Sequence, residues 1–326
     1  MIIVRSPLRL SLGGGGTDLE SYYGKKGGYL VAAAINKYIY IALHKTYNNN
    51  WIIKYSDTEN PKTFNEIKHP IFRESLKTYS SFSEGLELTS FADIPSGTGL
   101  GSSSSFTTAL IKGLQFLNLE AMSPDQLAEA ACEIEIDTLK EPIGKQDQYI
   151  AAWGGIREFF FNKDGSVENN IIYKNVDDLI EVSNNFLLVY TGSTRKASKI
   201  LVEQKNKSDH SDEVMLKNLD EVKNLGLKFC SFLKEKDFNS YGHLMQEHWS
   251  LKKERSPNMT SKEIDDIFNL GISNGANGGK LVGAGGGGFI LFQTNQLNDL
   301  RRKFISNGLK VVDFNVSANG TEIIKV

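Results

Sequence analysis

The stretch Pro95-Ser96-Gly97-Thr98-Gly99-Leu100-Gly101-Ser102-Ser103-Ser104-Ser105 sets a glycine at every second position and ends in a run of serines. Before it, Leu86–Ala92 alternates apolar and polar residues and reads as a strand. After it, Phe106, Ala109, Leu110, Leu114 and Leu117 fall on one helical stripe, which predicts a mostly buried helix over residues 102–119. Glycines let the backbone turn its N–H groups toward a ligand, and the helix that comes next adds its positive N-terminal end. Serine hydroxyls can donate to phosphate oxygens or ligate Mg²⁺. A tight strand-to-helix turn with serine caps would explain part of the pattern, but four consecutive serines exceed what a cap needs. The stretch therefore reads as a phosphate cradle. It is not a Walker A loop, because no lysine comes after the glycines.

Two other glycine clusters flank this one. Lys280-Leu281-Val282-Gly283-Ala284-Gly285-Gly286-Gly287-Gly288 fits the dinucleotide pattern by letter. Its next residues, Phe289-Ile290-Leu291-Phe292, read as a strand, whereas that fingerprint opens a helix, so the reading is discarded. Near the N-terminus, Arg9 and Asp18 bracket Gly13-Gly14-Gly15-Gly16-Thr17. Such a pair is ordinarily a surface feature, yet the turn would let Asp18 reach sugar hydroxyls.

At 326 residues the chain exceeds one ordinary core and suits two medium domains, with a boundary near residue 180 where a new strand, 186–191, opens. Strands at 29–31, 37–44 and 51–55, the last two forming a hairpin across Asn48-Asn49-Asn50, make the first part strand-rich. Ser123-Pro124-Asp125-Gln126 starts a helix reaching about Leu139, and 156–161 reads as a strand. Helices over 214–233, 238–253, 261–274 and 296–307 and strands over 288–293 and 310–316 complete the second part, after a polar loop at 203–213. This order predicts an α+β protein of two domains, 1–180 and 181–326. With 37 basic and 39 acidic residues the net charge is −2, so no basic surface invites nucleic acid. Cys132 and Cys230 lie far apart and outside metal-ligand spacing, which suits a reducing compartment. Lacking a signal peptide or a run of roughly 20 apolar residues, the chain is expected in the cytoplasm, away from the membrane.

Chemistry on an alcohol needs a group to take its proton. Asp147 stands in the polar stretch Ile143-Gly144-Lys145-Gln146-Asp147-Gln148, where it could serve as that base or equally cap a helix at Gln148. Glu135, in Glu133-Ile134-Glu135-Ile136-Asp137, reads first as part of a solvated helix face.

The three glycine clusters, in this order and separation, resemble the motifs of the GHMP kinase family of galacto-, homoserine, mevalonate and phosphomevalonate kinases. The resemblance spans nearly the whole length. It implies a two-domain α+β fold with the active site in the cleft between domains, and ATP and Mg²⁺ as cofactors. By motif position, Gly97, Thr98, Gly99, Leu100, Gly101, Ser102, Ser103 and Ser104 would hold the ATP phosphates, and Ser103 and Glu135 would ligate Mg²⁺. Asp147 matches the catalytic aspartate, Arg9 the basic residue beside it, and Asp18 the sugar-binding aspartate. Gly15, Gly16, Thr17, Gly285 and Gly286 would lie on the substrate side. Galactokinases carry Glu-His where this chain has Gly15-Gly16, which argues against galactose. Glu141-Pro-Ile-Gly-Lys-Gln-Asp-Gln-Tyr149 and Glu247-His-Trp-Ser-Leu-Lys252 look like members that phosphorylate heptose 7-phosphate at its anomeric hydroxyl, for nucleotide-activated heptose synthesis. Fucokinase-type members are the rival. The alternatives from other classes are a non-catalytic sensor on the same fold and a kinase of isoprenoid or amino-alcohol acceptors. A heptose 7-phosphate also needs a second anion site, for which Arg195 (beside Ser193 and Thr194) and Lys252 are candidates; an ordinary charged helix start explains the first equally well.

Overall fold

The computed structural model describes residues 1–81, 85–193 and 212–325, with Val202 and Gln204. Strand β1 (Ile2–Gly13) turns Leu8, Leu10 and Leu12 into the core, so period two sends Arg9 and Ser11 together to the other face. Pro7 is accommodated where the register with the next strand shifts. Helix α1 (Glu20–Lys26) leads into β2 (Gly28–Lys45), an 18-residue strand that joins the two shorter ones expected from sequence. β2 pairs with β1 along one edge and is the spine of an eight-stranded sheet.

The expected hairpin across residues 48–50 does not form. Strand β3 (Ile52–Lys54) pairs antiparallel with β4 (Thr58–Glu59) and, after α2 (Pro70–Tyr79), parallel with β5 (Leu86–Ala92), Ile53 standing opposite Leu88. Ile39–Lys45 of β2 takes β5 as its partner instead. From β5 the chain runs through the glycine–serine loop into α3 (Ser102–Leu117), which packs on β1 and β2. Helix α4 (Pro124–Cys132) starts on a complete capping box, Ser123 with Gln126. It then widens into a π-helical turn over Glu133–Thr138. Helix α5 (Gln146–Trp153) comes next, then β6 (Ile156–Phe161) on Gly28–Ala33 of β2, and β7 (Val167–Ile171) outside it.

Past α6 (Val176–Ser183), a second, antiparallel sheet of order β11-β8-β10-β9 is built from β8 (Phe186–Tyr190), β9 (Gly278–Leu281), β10 (Phe289–Gln293) and β11 (Val311–Val312). The strand expected over 310–316 shrinks to β11, beyond which only Val316 bridges to Ile35. Three long helices precede β9: α7 (Glu213–Glu235), α8 (Phe238–Glu254) and α9 (Lys262–Ser273), capped by Asp212, Asp237 and Ser261. Helix α10 (Leu297–Ser306) lies between β10 and β11. The polar loop expected at 203–213 lies outside the described residues except for Gln204, Asp212 and Glu213, the last of which opens α7.

The changeover between sheets falls between Ile171 and Phe186, but the tail crosses back: β12 (Glu322–Lys325) pairs with β1, and Arg5 clasps Glu322 at 2.6 Å. A division into 1–180 and 181–326 thus leaves β12 on the first sheet. The second half also grips the end of β1, where Tyr241 Oη and Lys280 Nζ both donate to the Leu12 carbonyl. Among the described residues no helix is long and apolar enough to cross a membrane.

Candidate active site

Between these two halves lies a cleft with a cavity of about 260 Å³. Its wall draws on all three glycine clusters: Arg9, Ser11, Gly15, Gly16 and Asp18 from the first, Gly97, Gly99, Gly101, Ser102 and Ser103 from the second, Gly283 and Ala284 from the third.

The loop's geometry is set by its glycines. Gly97, Gly99 and Gly101 all hold positive φ, which L side chains rarely adopt. Gly101 is the N-cap of α3 without a side-chain cap, so the N–H groups of the helix's first turn are left to the cleft. The third cluster backs the loop. A Cβ at Gly288, where φ is +100°, would stand 2.1 Å from the Thr98 carbonyl oxygen, so only glycine fits. Gly288→Ala is accordingly expected to destabilise the fold by at least about 1–3 kcal/mol and to weaken nucleotide binding, as read by denaturant unfolding and titration calorimetry.

Arg9 and Asp147 meet across the cleft floor. Arg9 donates from Nε to Asp147 Oδ1 at 2.7 Å and from Nη2 to Oδ2 at 2.8 Å, a bidentate pair, and from Nη1 to the Gly99 carbonyl. Asp147 sits inside the first turn of α5 and forms no cap; its carboxylate also accepts from Gln146 Nε2 at 3.0 Å. A Cβ at Gly101 would lie 3.1 Å from Asp147 Oδ2, so the carboxylate is next to the start of α3.

Glu135 departs from the solvated-face reading. It is fully buried, because the π-helical turn rotates it inward while Glu133 stays exposed. Its carboxylate accepts from Ser103 Oγ at 2.5 Å and from Gln148 Nε2 at 2.8 Å. Burial pushes it up to about 7, against the opposing hydrogen bonds from Ser103, Ser104 and Gln148. A serine hydroxyl beside a buried carboxylate is a hard oxygen set that suits Mg²⁺, which keeps several waters and leans on substrate phosphates.

Asp18 is buried, and its carboxylate accepts from Gly16 N at 3.0 Å and Gln146 N at 3.2 Å. Burial first, then the charge of Asp147, raises its pKa. Gly15 and Gly16 line the cleft, but Thr17 does not: its hydroxyl is fully buried and donates to the Gly14 and Tyr29 carbonyls, pinning the turn to β2. Thr98, Leu100 and Ser104 of the cradle face inward as well, Thr98 Oγ1 donating to the Pro95 carbonyl. Gly285 and Gly286 also lie off the cleft wall, since Gly286 N is taken by the Met259 carbonyl; Gly283 and Ala284 hold that position instead. Arg195 lies outside the described residues.

Lys252 does line the cleft, joined by residues to which the motifs assign no role: Gln146, His248 and Lys280 within quoted stretches, and Arg255 outside them. Spacing offered a signal for part of this set. His248, Lys252 and Arg255 stand at i, i+4 and i+7, one face of α8 and its C-cap.

Comparison with known proteins agrees with this geometry. The model of the GHMP kinases N-terminal domain matches residues 66–155, and that of the GHMP kinases C-terminal domain matches residues 230–309. D-glycero-alpha-D-manno-heptose 7-phosphate kinase of Campylobacter jejuni is 34% identical over 304 residues, covering 89% of this chain and 88% of that protein. The crystal structure of a putative sugar kinase from Campylobacter jejuni superposes with a TM-score of 0.78 at 27% identity, covering 100% of this chain and 98% of the other. A D-glycero-D-manno-heptose 1-phosphate kinase from Bacteroides thetaiotaomicron shares the fold, with a TM-score of 0.80 at 22% identity over 100% of this chain and 99% of the other. The chain belongs to the GHMP kinase family and is a phosphotransferase with a hydroxyl group as its acceptor.

Proposed function

We propose that this enzyme is a sugar kinase that transfers the γ-phosphoryl group of ATP to the anomeric hydroxyl of D-glycero-D-manno-heptose 7-phosphate, giving the 1,7-bisphosphate and ADP. The observation that carries the reading is the placement of Asp147, paired with Arg9, beside the uncapped start of α3. A hydroxyl held there has a carboxylate for its proton and a phosphoryl group within reach. The 34% identity to a heptose 7-phosphate kinase supports the choice of sugar.

In the reaction the anomeric oxygen attacks the γ-phosphorus and the bond to the β-phosphate oxygen breaks. The hydroxyl proton passes to Asp147, and ADP carries away the bonding pair. The N–H groups of the loop and of the first turn of α3 would hold the β- and γ-phosphates, and Arg9 would stand over the transferring group. Asp18, fixed by the Gly16 and Gln146 N–H groups, would accept from sugar hydroxyls. Mg²⁺, held by Ser103 and Glu135, would supply charge neutralisation at the phosphates. Because phosphoryl transfer asks mainly for positioning and charge stabilisation, these rigid contacts carry the rate. A cleft wall with Arg9, Asp18, Asp147 and Lys252 favours a polar acceptor over an isoprenoid one.

An assay of ADP release across free and phosphorylated sugars tests the reading. Heptose 7-phosphate is expected to exceed free heptose and L-fucose by about 10²-fold or more in kcat/KM. Equal or better turnover of L-fucose would sink the heptose assignment, and no ADP release with any sugar would favour the non-catalytic sensor.

A further inference from the structure

The second half of the chain contributes a set of buried basic side chains to the cleft that the chemistry at Asp147 does not use. His248, Lys252 and Arg255 share one face at the end of α8, and Lys280 meets them from β9; all line the cavity, and none is more than 7% exposed. Lys252 Nζ donates to the carbonyls of Leu281 and Gly283, and Lys280 Nζ to that of Leu12. These partners are dipoles, not counter-charges, and among the described residues neither ammonium forms an ion pair. An ammonium carries three donors, so each lysine keeps at least one beyond these bonds.

These hydrogen bonds hold the basic groups in place but do not balance their charge. Cations at the C-terminal end of α8 do suit the helix dipole, but that benefit is found at an exposed helix end and needs no burial. His248 is the sharper sign. Neither Nδ1 nor Nε2 has a hydrogen-bond partner, although the ring is 3% exposed and lines the cavity. A buried imidazole with both nitrogens unsatisfied costs free energy that a ligand would recover. Desolvation and mutual repulsion act on the lysines too: Lys280 is brought down to about 7 and Lys252 lies well below its ordinary value. Arg255 has Asp18 near it, but the two lysines face only other cations, Arg255 and Arg9 among them, and an anion would supply the missing charge.

Its place in the cleft identifies the anion. Arg255 donates from Nη1 to the Gly15 carbonyl at 3.1 Å, on the loop that carries Asp18, and from Nε to Asn218 at 2.9 Å. Arg255 thus sets this end of the patch on the acceptor side, beside the turn that carries Asp18. Donors converging from a helix and a strand suit the several oxygens of a phosphate monoester better than the planar pair of a carboxylate. We propose that His248, Lys252, Arg255 and Lys280 form the subsite for the acceptor's own phosphate group, and that this subsite selects phosphorylated over free sugars. The identity of the acceptor as a sugar phosphate rests on the reading given above; the anion subsite itself does not.

The test separates the two. With a non-hydrolysable ATP analogue occupying the loop, inorganic phosphate at constant ionic strength is titrated into the wild type and into Lys280→Met and Arg255→Gln. The wild type is expected to bind it with a rise in Tm, and each variant to bind it about 10–100-fold more weakly. Lys280→Met removes a buried charge while keeping the stem, so it is expected to fold with an unchanged or higher Tm. Arg255→Lys, which keeps the charge, is expected to recover part of the loss. In turnover assays the variants should raise KM for heptose 7-phosphate about 10–100-fold and narrow its advantage over free heptose, with much less change in KM for ATP. A wild type that binds no phosphate, or variants that bind it as the wild type does, would overturn the subsite even if heptose 7-phosphate is the substrate. Phosphate binding lost in the variants, in an enzyme that does not turn over heptose 7-phosphate, would uphold the subsite and overturn the choice of sugar. A merely structural role predicts a lower Tm and equal losses toward ATP and acceptor.

Discussion

Replacing Asp147 with asparagine is expected to lower kcat by about 10²–10⁴-fold while ATP affinity changes by no more than a few-fold. The substitution keeps size and removes the carboxylate proposed to accept the proton. The nucleotide contacts proposed above use the loop N–H groups and Ser103, none of which bonds Asp147. One side effect must be separated from chemistry. Arg9 now gives both Nε and Nη2 to the carboxylate, and an asparagine amide can accept only one of these while presenting its own N–H₂ to a guanidinium. Arg9, with a side chain 8% exposed, would lose part of its neutralisation, so a lower Tm is expected. Single-turnover rates measured well below both melting temperatures remove that contribution. Asp147→Glu adds a second comparison: it restores the charge on a longer stem and should recover some stability but little rate. Near-normal turnover of Asp147→Asn would end the base assignment and leave Asp147 as a holder of Arg9.

How far the sequence alone reaches can be read from particular elements. Local signals served well where the cause was local. Ser123 and Gln126 cap each other across three residues, and the glycines at 97, 99 and 101 take the positive φ values that make the loop. Failures occurred where the partner was distant. β3 looked like the return arm of a hairpin, but its ladder is with β5 through Ile53 and Leu88, a parallel pairing that no turn motif signals. β12 reaches β1 across nearly the whole chain, as Arg5 and Glu322 show, so the tail could not be assigned to the first sheet in advance. The site divides in the same way. Arg9, Asp18, Ser103 and Asp147 were legible because they sit in or beside motifs. Thr17 and Gly286 carry the same lettering, yet their polar groups are spent on the Tyr29 and Met259 carbonyls. Spacing places His248 and Arg255 on one face of α8, but their meeting with Lys280 was not legible, since it depends on how α8 packs against β9. Glu135 was misleading for a subtler reason: alternation of Glu and Ile signals a solvated face only while the helix keeps its ordinary pitch, and here the turn widens.

That widened turn yields the second large expectation, for Glu135→Gln. In the metal-free protein the carboxylate is held at about 7 from an ordinary 4.5, chiefly by loss of solvation. A folded-state pKa above the unfolded value means that the native state binds the extra proton, so stability is full below about 4.5 and is lost as pH rises through about 7. The loss by pH 8 is on the order of 3 kcal/mol. Glutamine cannot ionise, so the variant should lack this part of the slope and be more stable than the wild type at pH 8 by an amount of that order, less whatever it loses in hydrogen bonding to Ser103 and Gln148. Turnover should move the opposite way, falling by about 10²–10³-fold, because a neutral amide offers no negative charge to a divalent cation. The two readouts together discriminate. If Glu135 serves only the packing of α4 against α3 and α5, stability rises at pH 8 and turnover at saturating ATP and Mg²⁺ stays within a few-fold of wild type. If it serves the nucleotide site, a stabler enzyme is a slower one, and raising Mg²⁺ recovers part of the loss. Denaturant unfolding in chelator at pH 5 and pH 8, set beside turnover across a Mg²⁺ series, decides between them. A wild type whose stability does not fall between those pH values would remove the premise that a buried charge is being carried for function.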